Sequence, residues 1–117
     1  MRHHKSYRKF GREHGQRIAL IRGLAYSLVK HGKIVTTEAK AKELRPFIEK
    51  LVTASKKKET IASMRLVHTK LPNAEMVKKL FKDIAPKYKD RMGGYTRIVK
   101  MPVRKSDSAK RAVIEFV

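Results

Sequence analysis

From residue 18 onward the apolar residues fall three and four apart, at Ile18, Ile21, Leu24, Ala25, Leu28 and Val29. That spacing predicts an amphipathic helix from about Glu13 to Lys30, with Gly32 as its stop. Gly23 inside it costs helix stability and suggests close packing against a neighbour. The β-branched run Lys33-Ile34-Val35-Thr36-Thr37 predicts a short strand. Thr37 then reads as an N-cap, with Glu38 placed favourably in a first helical turn. Ala41, Leu44, Ile48, Leu51 and Val52 give the second helix one apolar face, and Pro46 predicts a kink or break within it. Ile61, Met64, Val67 and Leu71 outline a third helix stopped by Pro72. Val77, Leu80, Phe81 and Ile84 outline a fourth, opened near Asn73 and closed by Pro86.

The pattern then changes period. Gly93-Gly94 breaks the chain, Tyr95 to Met101 reads as a strand, and Arg111 to Val117 alternates with Ala112, Ile114 and Phe116 on one face. The expected fold is α+β: a small antiparallel sheet of about three strands packed by about four helices. At 117 residues the chain is expected to be a single domain, with a basic extension over residues 1–12 and a compact body over residues 13–117. Met1 to Arg12 shows no apolar periodicity and reads as an arm that a partner would order.

Charge changes the picture most. Lys and Arg number 30 against 10 Asp and Glu, a formal net charge of +20 with a sequence pI near 10.6. Such self-repulsion is best sustained by a polyanionic partner, and nucleic acid is the commonest. Residues 1–33 carry nine basic residues and one carboxylate, and residues 86–111 carry nine and two. The charge therefore gathers in the arm with its first helix and again in the C-terminal hairpin. Two separated basic surfaces suit a folded RNA better than a membrane plane. Within the arm, Tyr7 and Phe10 are interleaved with cations, so rings could stack on unpaired bases while Arg and Lys meet phosphates. The triplet Lys56-Lys57-Lys58 reads either as a solvated helix end or as a further RNA contact.

Candidate chemistry beyond binding is thin. The carboxylates are scattered among basic neighbours, and no acid–base pair, Gly-x-Ser-x-Gly turn or phosphate-binding glycine loop is present. The absence of cysteine excludes disulfides and thiolate zinc sites. The five histidines lack zinc-ligand spacing, and His3 behind a free amino terminus is a copper-type pattern best explained as accidental. No cofactor, metal or small-molecule substrate is expected. No apolar stretch precedes Gly15, and the run Ile18-Ala19-Leu20-Ile21 is far too short to span a bilayer, so a cytoplasmic protein without membrane partners is expected. The competing readings are a generic basic nucleic-acid-binding module of nucleoid or RNA-chaperone type, for which no recognition helix stands out, and an RNA-acting enzyme, for which no catalytic constellation does.

Several blocks resemble a known family. Met1-Arg2-His3, the Gly11-Arg12 turn, Ser27 through Thr37, Ala39-Lys40-Ala41-Lys42-Glu43-Leu44-Arg45, Val77 through Phe81, Ile84-Ala85-Pro86, Arg91 and Gly93 through Ile98 are similar to the L-seventeen family of bacterial large-subunit ribosomal proteins. The chain departs from that pattern at Gly15-Gln16-Arg17, in Pro102 to Asp107, and at Lys110-Arg111. The resemblance implies a structural, non-catalytic constituent of the large subunit, bound to 23S rRNA near the peptide exit tunnel, with other large-subunit proteins as neighbours. On charge and resemblance together, the residues expected to meet RNA are Arg2, His3, Lys5, Arg8, Lys9, Arg12, Arg17, Arg22, Lys33, Lys40, Arg91, Gly93, Gly94, Tyr95, Arg97 and Arg104. Tyr95 reads equally as a core aromatic.

Overall fold

A computed structural model describes residues 8–56 and 60–117. Four helices, α1 (His14–His31), α2 (Glu38–Ser55), α3 (Ile61–Lys70) and α4 (Ala74–Lys79), accompany three strands, β1 (Lys33–Thr37), β2 (Thr96–Met101) and β3 (Arg111–Phe116). The α+β expectation holds.

The first half follows its local signals closely. Helix α1 ends where Gly32 turns left-handed at φ 82° and its N–H closes on the Leu28 carbonyl at 2.8 Å. Thr37 caps α2 by accepting from the Lys40 N–H at 3.4 Å, and Thr60 and Asn73 cap α3 and α4 in the same way. Gly23, by contrast, is exposed and a Cβ there would meet nothing, so it marks no close approach.

Proline behaves differently from expectation twice. Helix α2 runs unbroken through Pro46, which lies on the exposed side of the helix. The Lys42 carbonyl loses its helical donor there, and solvent can replace it. The fourth helix also outlasts its predicted end. After Lys79 it widens into a π turn over Leu80–Ile84, where the Ala85 N–H reaches back to the Leu80 carbonyl, and then tightens into a 3₁₀ turn over Ala85–Tyr88. Pro86 falls in the opening turn of that last segment, where its missing N–H is no loss.

The sheet is antiparallel in the order β1-β3-β2, so the last strand in the chain is the central one. Ile34, Ile114 and Ile98 stand in register across it and face the helices. Ile114 is wholly buried within one core cluster that includes Leu28, Leu44, Ile48, Val52, Leu80 and Tyr95. The opposite face is open: Val35 and Val99 flank Val113 in register and are 57% and 46% exposed. Helix α3 buries Val67 but leaves Ile61, expected in the apolar stripe, 71% exposed.

Candidate nucleic-acid interface

The sheet divides the basic C-terminal segment into two ends. Six residues of β2 separate Tyr95 from Pro102, a span of roughly 20 Å at about 3.4 Å per residue. At one end sit Arg91, Gly93, Gly94 and Arg97, joined by Lys33, because Lys33 and Arg97 both stand opposite Glu115. At the other end sit Lys100, Arg104, Lys105, Lys110 and Arg111 with the start of α2.

The first end is built on a buried tyrosine. Tyr95 is only 2% exposed and packs its ring against Tyr88, centroids 5.3 Å apart. Its hydroxyl accepts from Lys56 Nζ at 2.9 Å and donates to the Arg91 carbonyl at 3.2 Å. Lys56 donates to that carbonyl as well. The Lys56 ammonium, then the Thr53 hydroxyl, hold the Tyr95 phenol below its ordinary pKa against the opposing effect of burial. Of the two readings of Tyr95, RNA contact or core aromatic, its burial supports the second. What it does is fix the turn above it. Gly93 and Gly94 take φ 134° and 61°, and the Arg91 Nε–H donates to the Gly93 carbonyl at 3.2 Å. Arg91 and Lys33 are exposed, and neither is ion-paired among the described residues. Arg97 lies 3.5 Å from Glu115.

At the second end the charges are more engaged. Arg104, expected among the RNA contacts, directs its fork at Asp107, with Nε and Nη2 at 2.9 and 2.7 Å from the two carboxylate oxygens. That fork, with the Ala109 N–H, holds the Asp107 carboxyl down to about 2. Glu38 sits among Lys42 at 3.0 Å, Lys100 at 3.8 Å and Lys110, and the Lys42 hydrogen bond leads in holding its carboxyl below the usual range. Lys40 is half-buried beside this cluster. Lys42, Lys100 and Lys110 were not singled out from the sequence. Their signal was Glu38, one carboxylate where the topology gathers three cations.

The amino-terminal side forms a third basic region. Arg2, His3 and Lys5, with Lys57 and Lys58, lie outside the described residues. Residues 8–12 are not a free arm: Lys9 to Arg12 close a tight turn, the Arg12 N–H bonding the Lys9 carbonyl at 3.1 Å with φ 54° at Phe10 and 62° at Gly11. Arg8 reaches α2 and pairs with Glu43 at 3.2 Å. Arg17 Nη1 donates to the Arg12 carbonyl at 3.4 Å, and Nη2 meets His14 Nδ1 at 3.3 Å. Lys9 and Arg12 are exposed. Arg22, also expected to meet RNA, does not share a face with Arg17: five residues along a helix carries it about 140° round. Its half-buried side chain leaves Nε without a hydrogen-bond partner.

Among the described residues no group of histidine and carboxylate side chains could hold a metal, and no helix is long and apolar enough to cross a membrane. Comparison with known proteins agrees with the basic, non-catalytic character of these surfaces. A family described as Ribosomal protein L17 matches residues 20–117. The chain is 53% identical over its full length to the large ribosomal subunit protein bL17 of Dictyoglomus thermophilum, all of which it covers. It is 50% identical to the protein of that name from Fusobacterium nucleatum, again over the whole of both chains. It is also 50% identical to the one from Zymomonas mobilis, of which it covers 83%. The chain belongs to the ribosomal protein L17 family, structural and non-catalytic constituents of the large ribosomal subunit.

Proposed function

We propose that this chain is held in the large subunit by 23S rRNA near the peptide exit tunnel, through its basic amino-terminal segment and the Arg91–Arg97 end of the sheet. The carrying observation is the distribution of uncompensated cations. Lys9 and Arg12 on one side, and Lys33 and Arg91 on the other, are exposed without a carboxylate partner among the described residues. Phosphates would neutralise them and release condensed counterions. The glycine turn at Gly93-Gly94 keeps backbone bulk low beside Arg91, so a sugar–phosphate strand can approach closely. On this reading the protein works in the cytoplasm, with neighbouring large-subunit proteins against its remaining faces.

Sedimentation of a tagged chain from a cell lysate tests the assignment. Comigration with the large subunit through a moderate-salt wash is expected, and a peak at the top of the gradient in low salt would overturn it. Removal of residues 1–12 tests the segment: a folded body that binds rRNA as tightly as the full chain would sink its proposed role.

A further inference from the structure

Between the Lys9–Arg12 turn, the first half of α1 and the outer side of α2 lies a cleft of about 510 Å³, within the range of small-ligand sites at about 300–1,000 Å³. Its walls are apolar: Phe10, Ile18, Ile21, Pro46 and Phe47. Arg8, Arg17, Lys50 and Lys70 also line it, and Glu43, the one carboxylate among its described lining residues, is paired with Arg8 at 3.2 Å. We propose that this cleft takes a single unstacked nucleotide of the bound RNA, its base against Phe10 and Phe47 and its phosphate among the cations. This rests on the RNA-binding reading above and deepens it.

Two features single out a nucleotide as the occupant. An apolar slot with two aromatic rings suits a flat, weakly hydrated base, since every base offers a π-face for stacking. With Arg8 and Glu43 cancelling, Lys50 and Lys70 remain among the described lining residues to meet a phosphate attached to that base, and they would disfavour a basic peptide. The backbone is shaped to the same end. Phe10 is held at φ 54°, a left-handed conformation that bulky side chains rarely adopt, and the Arg12 guanidinium donates to the Phe10 carbonyl at 2.9 Å. That turn carries Phe10 into the lining of the cleft.

The test uses the full chain, isotope-labelled and followed by NMR, with adenosine monophosphate, ribose 5-phosphate and inorganic phosphate as probes. The nucleotide is expected to shift the Ile18 and Ile21 methyls and the Phe47 ring, whereas the two base-free phosphates leave those signals in place. In parallel, Phe47→Leu, which keeps the wall apolar but removes the stacking ring, is expected to bind an rRNA transcript about tenfold more weakly while melting near the wild-type temperature. No movement of the apolar signals by the nucleotide, equal shifts from the nucleotide and ribose 5-phosphate, or undiminished rRNA binding by the Phe47→Leu chain would each overturn the proposal. If the wild-type chain fails to bind the transcript, the RNA-binding reading itself falls. If it binds and the leucine variant matches it, only the nucleotide cleft falls.

Discussion

Replacing Lys33 and Arg91 together by alanine probes the glycine-turn end of the sheet at two cations that have no carboxylate partner among the described residues. Both are exposed, so the change should leave folding stability within about 0.5 kcal/mol. Each phosphate contact contributes about 0.7–0.9 to the slope of log affinity against log salt, so losing two should reduce that slope by roughly 1.4–1.8. Carried from 1 M to 0.15 M salt, the same relation gives an affinity about fifteen- to thirtyfold weaker. The contrast is the double variant Arg104→Ala/Asp107→Ala. It deletes a bidentate pair whose charges already cancel, so its slope should stay close to wild type. Filter binding of an rRNA transcript between 50 and 300 mM salt measures both. An unchanged slope for Lys33→Ala/Arg91→Ala would show that this end of the sheet meets no phosphate. A steep loss for the Arg104/Asp107 pair would show that RNA opens their fork, and that pairing in the folded chain is a poor guide to contact.

Other outcomes follow from the core, the loop and the cap. Ile114→Ala, emptying a wholly buried site between Ile34 and Ile98, should cost about 2–5 kcal/mol in urea unfolding, whereas Val99→Ala on the open face should cost far less; equal costs would contradict the assigned faces. Asp107 should titrate near 2 in carboxylate NMR, and Arg104→Ala should move the midpoint up toward 3.8. Because the folded value is depressed, this group's contribution is complete above the unfolded value and fades as pH falls toward about 2; a midpoint near 3.8 in the wild-type chain would remove the fork as its cause. Gly32→Ala, forcing a side chain into φ 82°, should lower stability by about 1–2 kcal/mol by thermal or urea melts, and no loss would mean the turn relaxes freely.

Where a local rule decides the outcome, the chain could be read directly. Gly32 ends α1, Thr37 caps α2, and the alternation of Ala112, Ile114 and Phe116 names the buried face of β3. These signals act over a few residues. Pro46 and Pro86 were misleading because a proline's cost depends on which carbonyl it strands and whether solvent reaches it. Ile61 was misleading because periodicity marks a face without showing that anything covers it. The basic residues of the candidate interface were visible individually, but their grouping was not. Residues 86–111 look like one basic segment until a strand of the sheet places Arg91 and Arg104 at opposite ends. Tyr95 was undecided because its burial depends on Tyr88 and Lys56, which arrive from other elements. The cleft beside Phe10 joins residues from the amino-terminal turn, two helices and Lys70, a meeting that no spacing announces.

The strand order has a consequence for how the protein is made. Strands β1 and β2 never pair with each other; both wait for β3, the last of the three to leave a translating ribosome. Pairing Lys33 with Glu115 closes a loop of some eighty residues, a slow and entropically costly step. Until it happens the sheet is at most the β2–β3 hairpin, and β1 has no strand to pair with. During synthesis, then, the basic amino-terminal residues precede a body that is not yet folded. If RNA binds them as proposed above, it can do so before the sheet closes.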